Sequence, residues 1–402
     1  MKIEMDGKGA SGGPLSGVRV LDLSAVVSGP LCGQVLGDLG ADVLKIESPG
    51  GDATRRLGFP DEQGFTGWYL NFNRNKRGLA LDLKADGSQE VMLRLARSAD
   101  VLIENFRPGV ADRLGVGYDA LRAENPRLIY VAISGFGPDG PYRDLPAYDS
   151  VIQGLAGFMP VQGGEGEPAL VRSIAADKTS AMTATYAILA ALYAREKNGG
   201  EGQRIDIPML DSWAAFILPD VFLDRSYKDR PEPGPPPNIH RTWATKNGHV
   251  VMMIIEDHQF QAMCRTMDRA DLIEDPRCEN MIARILNAEE LFSEMESELA
   301  KWTTEELVSR AREFGAPLAP VNGIPEMMKD PQAIHAGLVM DVDHPEAGGF
   351  RYLKNPARFS QTPTSMRAHP PKLGQHNEEI LREAGYSTEE ITALREAGIL
   401  KQ

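Results

Sequence analysis

Histidine is missing from the first part of this 402-residue sequence, because all seven histidines stand at position 240 or later. The three cysteines, Cys32, Cys264 and Cys278, have no spacing typical of a metal site, and no H-E-x-x-H motif occurs. These absences argue against a histidine-based triad in the first half, and we expect no metal cofactor. Sparse, scattered cysteines also predict no disulfide framework and a cytoplasmic location.

Long apolar runs and a positive charge balance are lacking too. No stretch approaches the length of a membrane-spanning helix, and the polar, glycine-rich N-terminus does not have the pattern of a signal peptide. The net charge is −14, with 42% hydrophobic and 25% charged residues. This composition is typical of a globular protein and predicts neither nucleic acid nor membrane as a partner.

Short β-rich runs alternate with helical patterns in the first half. Helices are predicted over 30–39 and 87–97, and strands over 18–24, 41–48, 79–84, 100–106, 128–134 and 204–210. Alternation of this kind predicts an α/β fold with a doubly wound, mostly parallel sheet. We therefore assign 1–225 to a large domain.

The pattern changes at the proline-rich stretch "RSYKDRPEPGPPPNIH", which cannot form a helix or a central strand. A hairpin around Asn247-Gly248 and charged helices over 287–302 and 303–314 follow, the second opening with the capping pattern T-x-E-E at Thr303. We predict a small α+β domain over 226–325. Residues 326–402, with helices at 376–385 and 387–397, are predicted to link back to the large domain.

One glycine motif resembles a dinucleotide site. The segment from Gly135 to Gly140 matches G-x-G-x-x-G after a predicted strand, but Pro138 and Pro141 oppose the helix that such a site needs. The pattern therefore predicts a tight loop and no NAD site. The alternation of strands and helices suggests a nicotinamide oxidoreductase as an alternative, and the failed glycine motif argues against it.

Asp177 is the acid at the head of a long run of small and apolar residues that predicts a buried helix. Aspartate is a preferred N-cap residue, so capping alone can explain it. A carboxylate at a helix N-terminus also stays ionised and can act as a nucleophile where small neighbours such as Ser180 and Ala184 leave room. The residues alone leave both interpretations open.

Cations cluster near three predicted strand ends. Arg74, Lys76 and Arg77 lie in "NRNKRG", Lys84 ends "LALDLK", and two more arginines follow in "NFRPGVADRLG". A solvated charged face is one interpretation. A ligand with phosphate groups and a base stacked on Phe106 is the other.

Several long motifs, in the same order, are similar to those of the class III CoA-transferases (the CaiB–BaiF family). They run nearly end to end and include "GVRVLDLSAVVSGPLCGQVLGDLGADVLKIESPGGD", "NRNKRGLALDLK", "ADVLIENFRPGVADRLG", "ISGFGPDGPY" and "PPKLGQHNEEILREAGY".

The resemblance implies a Rossmann-like large domain made from both chain ends, a small inserted domain and an interlocked homodimer. It implies that Asp177 is the nucleophile that moves coenzyme A from an acyl-CoA to a small carboxylic acid through aspartyl anhydride and aspartyl-CoA thioester intermediates. The family's coenzyme A contacts carry over to Val27, Ser28, Leu81, Lys84, Asn105, Phe106, Arg107, Arg113, Tyr148 and Asp149.

Three departures bear on function. Ser48 stands where the family has an arginine that helps bind coenzyme A, and the proline-rich stretch replaces a glycine-rich loop of formyl-transferring members, which argues against formate and oxalate chemistry. Tyr148-Asp149 replaces the His–Asp pair of the related α-methylacyl-CoA racemases, which makes α-proton exchange the weaker alternative. A non-catalytic protein that binds coenzyme A is a further alternative.

Overall fold

A computed structural model describes residues 12–61, 65–230 and 240–401. The chain divides into two compact units. The large unit contains the described residues up to Leu223 and those from Gly337 onward, and the small unit runs from Asp224 to Ala336. Both ends of the chain therefore contribute to the large unit, and the small unit is an insertion.

The strands follow one another along the chain as β1 (Arg19–Asp22), β2 (Asp42–Glu47), β3 (Lys76–Ala80), β4 (Val101–Glu104), β5 (Ile129–Ser134), β6 (Arg204–Pro208), β7 (Thr242–Ala244), β8 (His249–Met252), β9 (Leu318–Pro320), β10 (Val339–His344) and β11 (Gly348–Leu353).

The α-helices are α1 (Ser28–Asp38), α2 (Gly67–Phe72), α3 (Ser88–Ala96), α4 (Val110–Arg113), α5 (Tyr118–Glu124), α6 (Asp149–Leu155), α7 (Met159–Gly163), α8 (Ala175–Lys197), α9 (Met209–Ile217), α10 (Pro219–Phe222), α11 (Asp257–Thr266), α12 (Met281–Leu286), α13 (Ala288–Leu299), α14 (Thr304–Phe314), α15 (Ile324–Met327), α16 (Pro331–Ala336), α17 (Asn377–Glu383) and α18 (Thr388–Glu396). Short 3-10 helices occur at Ala53–Arg56, Leu223–Ser226, Ala270–Ile273 and Pro276–Cys278.

A six-stranded parallel sheet forms the centre of the large unit, with the strand order β3-β2-β1-β4-β5-β6. Strand order reverses between β1 and β4, so the two neighbouring strands lead into connections on different sides of the sheet. The predicted α/β, Rossmann-like fold with a small inserted domain is thus confirmed.

Apolar side chains cover both faces of this sheet. On one face, α1 and α8 pack against strand residues such as Val43 and Ile133. On the other, Leu44 and Leu102 pack with α3 and with Ile380 and Ile391 of the C-terminal helices. Strands buried on both sides carry nearly continuous apolar runs, which is why the strand prediction succeeded for most of the sheet.

The prediction for β3 was displaced. We expected a strand over 79–84, whereas β3 occupies Lys76–Ala80. The strand begins with the polar residues Lys76 and Arg77, which the hydropathy pattern does not assign to a buried strand. Lys76 is nevertheless buried, because it forms an ion pair in the core. Lys84 consequently lies in the turn that follows the strand and does not end it.

The small unit contains an antiparallel three-stranded sheet in the order β7-β8-β9. The first two strands form the predicted hairpin around Asn247-Gly248. Trp243, Met263 and Leu307 belong to its apolar core. The predicted cap of α14 is confirmed, since Thr303 and Glu306 form a reciprocal capping box.

Candidate active site

The crevice at the point of strand reversal is built by the loops that follow β1 and β4. Asn105, directly after β4, binds Ala25 of the β1–α1 loop (residues 23–27) in both directions. The Ala25 N–H donates to Asn105 Oδ1 at 2.8 Å, and Asn105 Nδ2 donates to the Ala25 carbonyl at 2.7 Å. Open α/β sheets bind ligands at this place, because the loops on either side of the reversal diverge.

Asp177 lies in the first turn of α8, and Ser28 begins α1. The two helices pack closely because the buried face of α8 carries small residues such as Ala181 and Ala184. The hydroxyl and the backbone N–H of Ser28 lie close enough to the Asp177 carboxylate to lower its pKa as hydrogen-bond donors. The first residue of α1 therefore lies beside the acid in the first turn of α8.

Capping does not explain Asp177. Helix α8 begins at Ala175, and its first free N–H groups are bound by another residue: Asp149 Oδ1 accepts from Ala176 N at 2.7 Å and from Asp177 N at 3.2 Å. The interpretation of Asp177 as an N-cap is therefore wrong. Its partly exposed carboxylate is left for another role.

The environment raises the pKa of Asp177 to about 6. Partial burial is the largest cause and the negative charge of Asp149 adds to it, whereas the two hydrogen bonds from Ser28 oppose the rise. A carboxylate with a raised pKa is a stronger nucleophile than an ordinary aspartate and is still mostly ionised at neutral pH.

Asp149 is buried at the start of α6, and both of its oxygens are occupied. Besides the two amides of α8, it accepts a hydrogen bond from Gln153 Nε2 at 2.7 Å. The same Gln153 binds the main chain of Val171 and Ser173 just before α8. Asp149 thus holds the helix that carries Asp177, while its neighbour Tyr148 is 73% exposed.

The structure brings some of the predicted site residues together and separates others. Val27, Ser28, Asn105 and Asp177 meet at the crevice, with Val27 and Ser28 buried. Lys84 and Arg113 are exposed, on the turn after β3 and at the end of α4. Lys84 follows β3, which lies two strands away from β1 in the sheet. Only an extended ligand could therefore contact both Lys84 and the crevice.

Phe106 and Arg107 follow Asn105 in the loop after β4. The Phe106 side chain is partly buried and Arg107 is exposed. The Phe106 N–H donates to Glu104 Oε2 at 2.6 Å, and burial raises the pKa of Glu104 to about 7 despite this bond. Leu81, in contrast, is fully buried in the core, so any ligand contact there would have to use its main chain.

Both interpretations of the cations in "NRNKRG" were wrong. These residues do not form a solvated face, and their ion pairs leave them unavailable to a phosphate. Arg74 is buried and pairs with Asp38 at 2.6 Å, and Lys76 pairs with Asp22 at 2.8 Å. Arg77 pairs with Asp42 at 2.7 Å, and two glutamates of α17 complete its shell. These residues are structural cations of the large unit.

Sequence reasoning missed a buried polar network beneath the crevice. Lys45 and Asp22 have no solvent exposure, and Lys45 Nζ lies 3.3 Å from Asp52 Oδ2. Asp52 in turn accepts a hydrogen bond from the Val26 N–H, and the backbone of Val26 has a φ of 70°. This left-handed conformation costs a β-branched residue about 1–3 kcal/mol, and no sequence signal predicts it.

The remaining predictions concern absences and departures. No helix forms between β5 and α6, so the glycine motif from Gly135 to Gly140 opens none. Ser48 is exposed directly after β2, and the Arg56 guanidinium contacts the carbonyl of Gly50, two residues further along the chain. The proline-rich replacement of the formyl-transferase loop lies at 231–239, outside the described residues.

In 12–61, 65–230 and 240–401, no group of three or more histidine, cysteine, aspartate or glutamate side chains is placed to hold a metal ion. Over the same ranges, no helix has both the length and the apolar character needed to span a membrane.

Comparison with known proteins gives a consistent result. The profile of CoA-transferase family III matches residues 15–377. The succinate–glutarate CoA-transferase of Agrobacterium fabrum is 35% identical over 92% of this chain and 95% of that protein. The human succinyl-CoA:glutarate CoA-transferase is 32% identical over 97% of this chain and 89% of that protein.

A solved structure of a CaiB/BaiF family protein from Brucella suis superposes with a TM-score of 0.81 at 32% identity, covering 93% of this chain and all of that one. Matches of this length and identity, on a fold with an acid at the strand-reversal crevice, place the protein in one enzyme class. The chain belongs to the family III CoA-transferases.

Proposed function

We propose that this enzyme moves coenzyme A from an acyl-CoA to a free carboxylic acid by covalent catalysis at Asp177. The observation that carries the proposal is the carboxylate of Asp177, which is partly exposed, not used as a cap, and held by Ser28 at the crevice between β1 and β4. Its raised pKa gives it the nucleophilicity that attack on a thioester needs.

The reaction proceeds in four balanced steps. The Asp177 carboxylate attacks the donor thioester, which forms a mixed anhydride and releases the coenzyme A thiolate. The thiolate attacks the aspartyl carbonyl, which releases the donor acid and leaves an aspartyl-CoA thioester. The acceptor carboxylate then attacks this thioester and forms a second anhydride and free thiolate. Attack of the thiolate on the acceptor's acyl carbon yields the new acyl-CoA and restores Asp177.

Ser28 would stabilise the charge that develops in these steps. Each attack on the aspartyl carbonyl puts negative charge on an oxygen of Asp177. The Ser28 hydroxyl and N–H already act on that carboxylate in the free enzyme, so they would need little rearrangement. Closing the crevice to water would protect both intermediates from hydrolysis.

Coenzyme A would lie across the carboxyl ends of the strands. Main-chain groups near Val27 and Leu81 and the exposed Tyr148 would line the path of the pantetheine chain, and Phe106 would stack on the adenine. The phosphates would be bound by Lys84, Arg107 and Arg113. The exposure of these three cations supports the assignment, because a cation already paired in the core could not bind a phosphate.

Succinyl-CoA is the donor that we propose, with a short dicarboxylic acid as the acceptor. The relatives from Agrobacterium fabrum and humans carry names for succinate or succinyl-CoA and glutarate, and they align with nearly all of this chain. A screen of acyl-CoA donors against free acids, read by mass spectrometry, tests this choice.

Trapping identifies the nucleophile. The enzyme incubated with succinyl-CoA alone and then treated with hydroxylamine is expected to carry a hydroxamate at Asp177, detectable by peptide mass spectrometry. Asp177→Asn should show neither the adduct nor transfer, while Asp139→Asn, a change in an exposed loop, should retain both. Normal turnover with unmodified Asp177 would refute the mechanism. Exchange of the α-hydrogen with solvent deuterium would favour the racemase alternative.

An interlocked homodimer and a cytoplasmic location are further proposals. Met182, Tyr186 and Tyr193 repeat at helical spacing on α8 and are 42%, 63% and 66% exposed, which is typical of a surface covered by another chain. Sedimentation should give twice the mass of 43.9 kDa. The three cysteines are free and buried, as suits a reducing compartment.

A further inference from the structure

Side chains hold three successive amides of the β1–α1 loop. Ser24 N donates to Asp22 Oδ1 at 3.0 Å, Ala25 N to Asn105 Oδ1 at 2.8 Å, and Val26 N to both oxygens of Asp52 at 3.2 Å. The next element, α1, begins at Ser28, whose Oγ accepts from Asn105 Nδ2 at 3.4 Å and whose donors lower the pKa of the nearby Asp177. Three separate segments therefore fix the direction in which Ser28 points.

Asp52 holds the least favourable position of this loop. Val26 adopts a φ of 70°, which a β-branched residue rarely takes, so the conformation persists only if its surroundings enforce it. The Asp52 carboxylate accepts from Val26 N and, in addition, from Thr54 N at 2.9 Å and Thr54 Oγ1 at 2.8 Å. Lys45 faces the other oxygen at 3.3 Å and also binds the Ser24 carbonyl.

We propose that Asp52, backed by Lys45, is a positioning residue for catalysis: it holds Val26 in its left-handed conformation and so aims the Ser28 hydroxyl and N–H at the Asp177 carboxylate. The inference rests on the proposed role of Asp177. Asp52 touches no reacting atom in this scheme and acts through Val26 and Ser28.

Other charged groups act on both Asp177 and Asp52. Asp149 is the charged group that acts on Asp177, and its effect opposes that of Ser28. Asp52 is surrounded by charged or titratable groups from the strands and from the segment that follows β2, namely Lys45, Glu47, Asp22, Lys76, Arg55 and Tyr69. The Val26 N–H donates to Asp52 and to none of these six groups.

The test is the substitution Asp52→Asn, read by the pKa of Asp177. An amide has one acceptor oxygen and places N–H groups toward Lys45 or Val26, so it cannot satisfy Thr54, Val26 and Lys45 together. Loosening Ser28 should raise the pKa of Asp177 by about one unit, which lowers its ionised fraction about tenfold below the pKa. Carboxyl-carbon NMR measures this value in the free enzyme without turnover.

Kinetics give a second reading. The acid limb of the pH profile of kcat/KM should move upward by the same amount, and kcat should fall about tenfold or more as the oxyanion donors lose alignment. Ser28→Ala should reproduce the direction of both changes. In the double variant the two effects should be smaller than their sum, since both act through one pair of hydrogen bonds.

Asp38→Asn is the matched control. It also breaks a buried ion pair at α1, with Arg74 at 2.6 Å, but at the far end of that helix from Ser28. It should lower the melting temperature as Asp52→Asn does and leave the pKa of Asp177 unchanged. If Asp52→Asn does not fold, Thr54→Val takes its place, because it removes one hydrogen bond that orients Asp52 and leaves the ion pair intact.

The outcomes separate the two proposals. An unchanged pKa of Asp177 in the folded variant, or an equal shift in Asp38→Asn, overturns the positioning role. If transfer and trapping at Asp177 succeed in the wild type while that pKa does not move, the proposed function stands and this inference fails. If the wild type transfers no coenzyme A yet the pKa moves, the positioning of Asp177 by Asp52 is supported and the proposed function fails.

Discussion

Asp177→Asn is expected to stabilise the enzyme at neutral pH while abolishing transfer. Burial and Asp149 raise the pKa of this carboxyl from 3.8 to about 6, so the folded protein holds the charge less well than the unfolded chain does. A rise of about two units corresponds to a destabilisation of about 3 kcal/mol once the group is ionised in both states.

The net gain should be smaller than that figure. Asp177 retains some contact with water, and the asparagine can keep one hydrogen bond from Ser28. We expect a gain of about 1–2 kcal/mol in the free energy of unfolding, or a melting temperature higher by about 1–3 °C. Denaturant titration and calorimetry at pH 7.5 measure both.

The pH dependence makes this prediction specific. Below about pH 3, both the folded and the unfolded wild type carry a protonated Asp177, so the contribution of its charge to the stability difference should vanish. The advantage of Asp177→Asn should grow as pH rises from about 3 through 6 and become constant above about pH 7. Asp139→Asn, on an exposed loop, should change stability by less than about 0.5 kcal/mol. A variant that is less stable than the wild type at pH 7.5, or a difference that does not vary with pH, would refute the reasoning.

Four further outcomes are expected. In the wild type, kcat/KM should fall tenfold per pH unit below about pH 6 as Asp177 is protonated; a profile flat down to pH 5 would contradict this. Asp149→Asn should move that acid limb to lower pH, because it removes a negative charge near Asp177. Arg107→Ala should raise KM for the acyl-CoA and leave kcat nearly unchanged, with a smaller effect at high salt. Thr303→Ala should cost about 1 kcal/mol in calorimetry of the folded enzyme, because it breaks the capping box with Glu306.

The sequence predicts the sheet well because its strands are buried on both faces. Strands β1, β2, β4, β5 and β6 all lie within the predicted ranges. The exception is β3, where Lys76 is buried by a partner distant in sequence, Asp22. Hydropathy describes each residue alone, so it cannot detect a lysine whose burial depends on that partner.

The candidate site shows the same limit. The position of Asp177 at the start of a helix follows from local composition, but the replacement of its capping role by Asp149 depends on how α6 meets α8. The conformation of Val26 and the contact with Asp52 have no local signal either, since valine is a poor residue for a positive φ. Long-range hydrogen bonds decide these features.

The covering of the central sheet by α17 and α18 has a consequence for biosynthesis. Ile380, Leu381 and Ile391 belong to the same apolar cluster as Leu21 and Leu44, and Leu400 bridges to Leu81 at the end of β3. Until the segment from α17 to Leu400 leaves the ribosome, that side of the nascent sheet is exposed to water and open to aggregation. Truncation of a few dozen C-terminal residues should therefore make newly synthesised chains depend on chaperones, even though the proposed nucleophile would already have been translated.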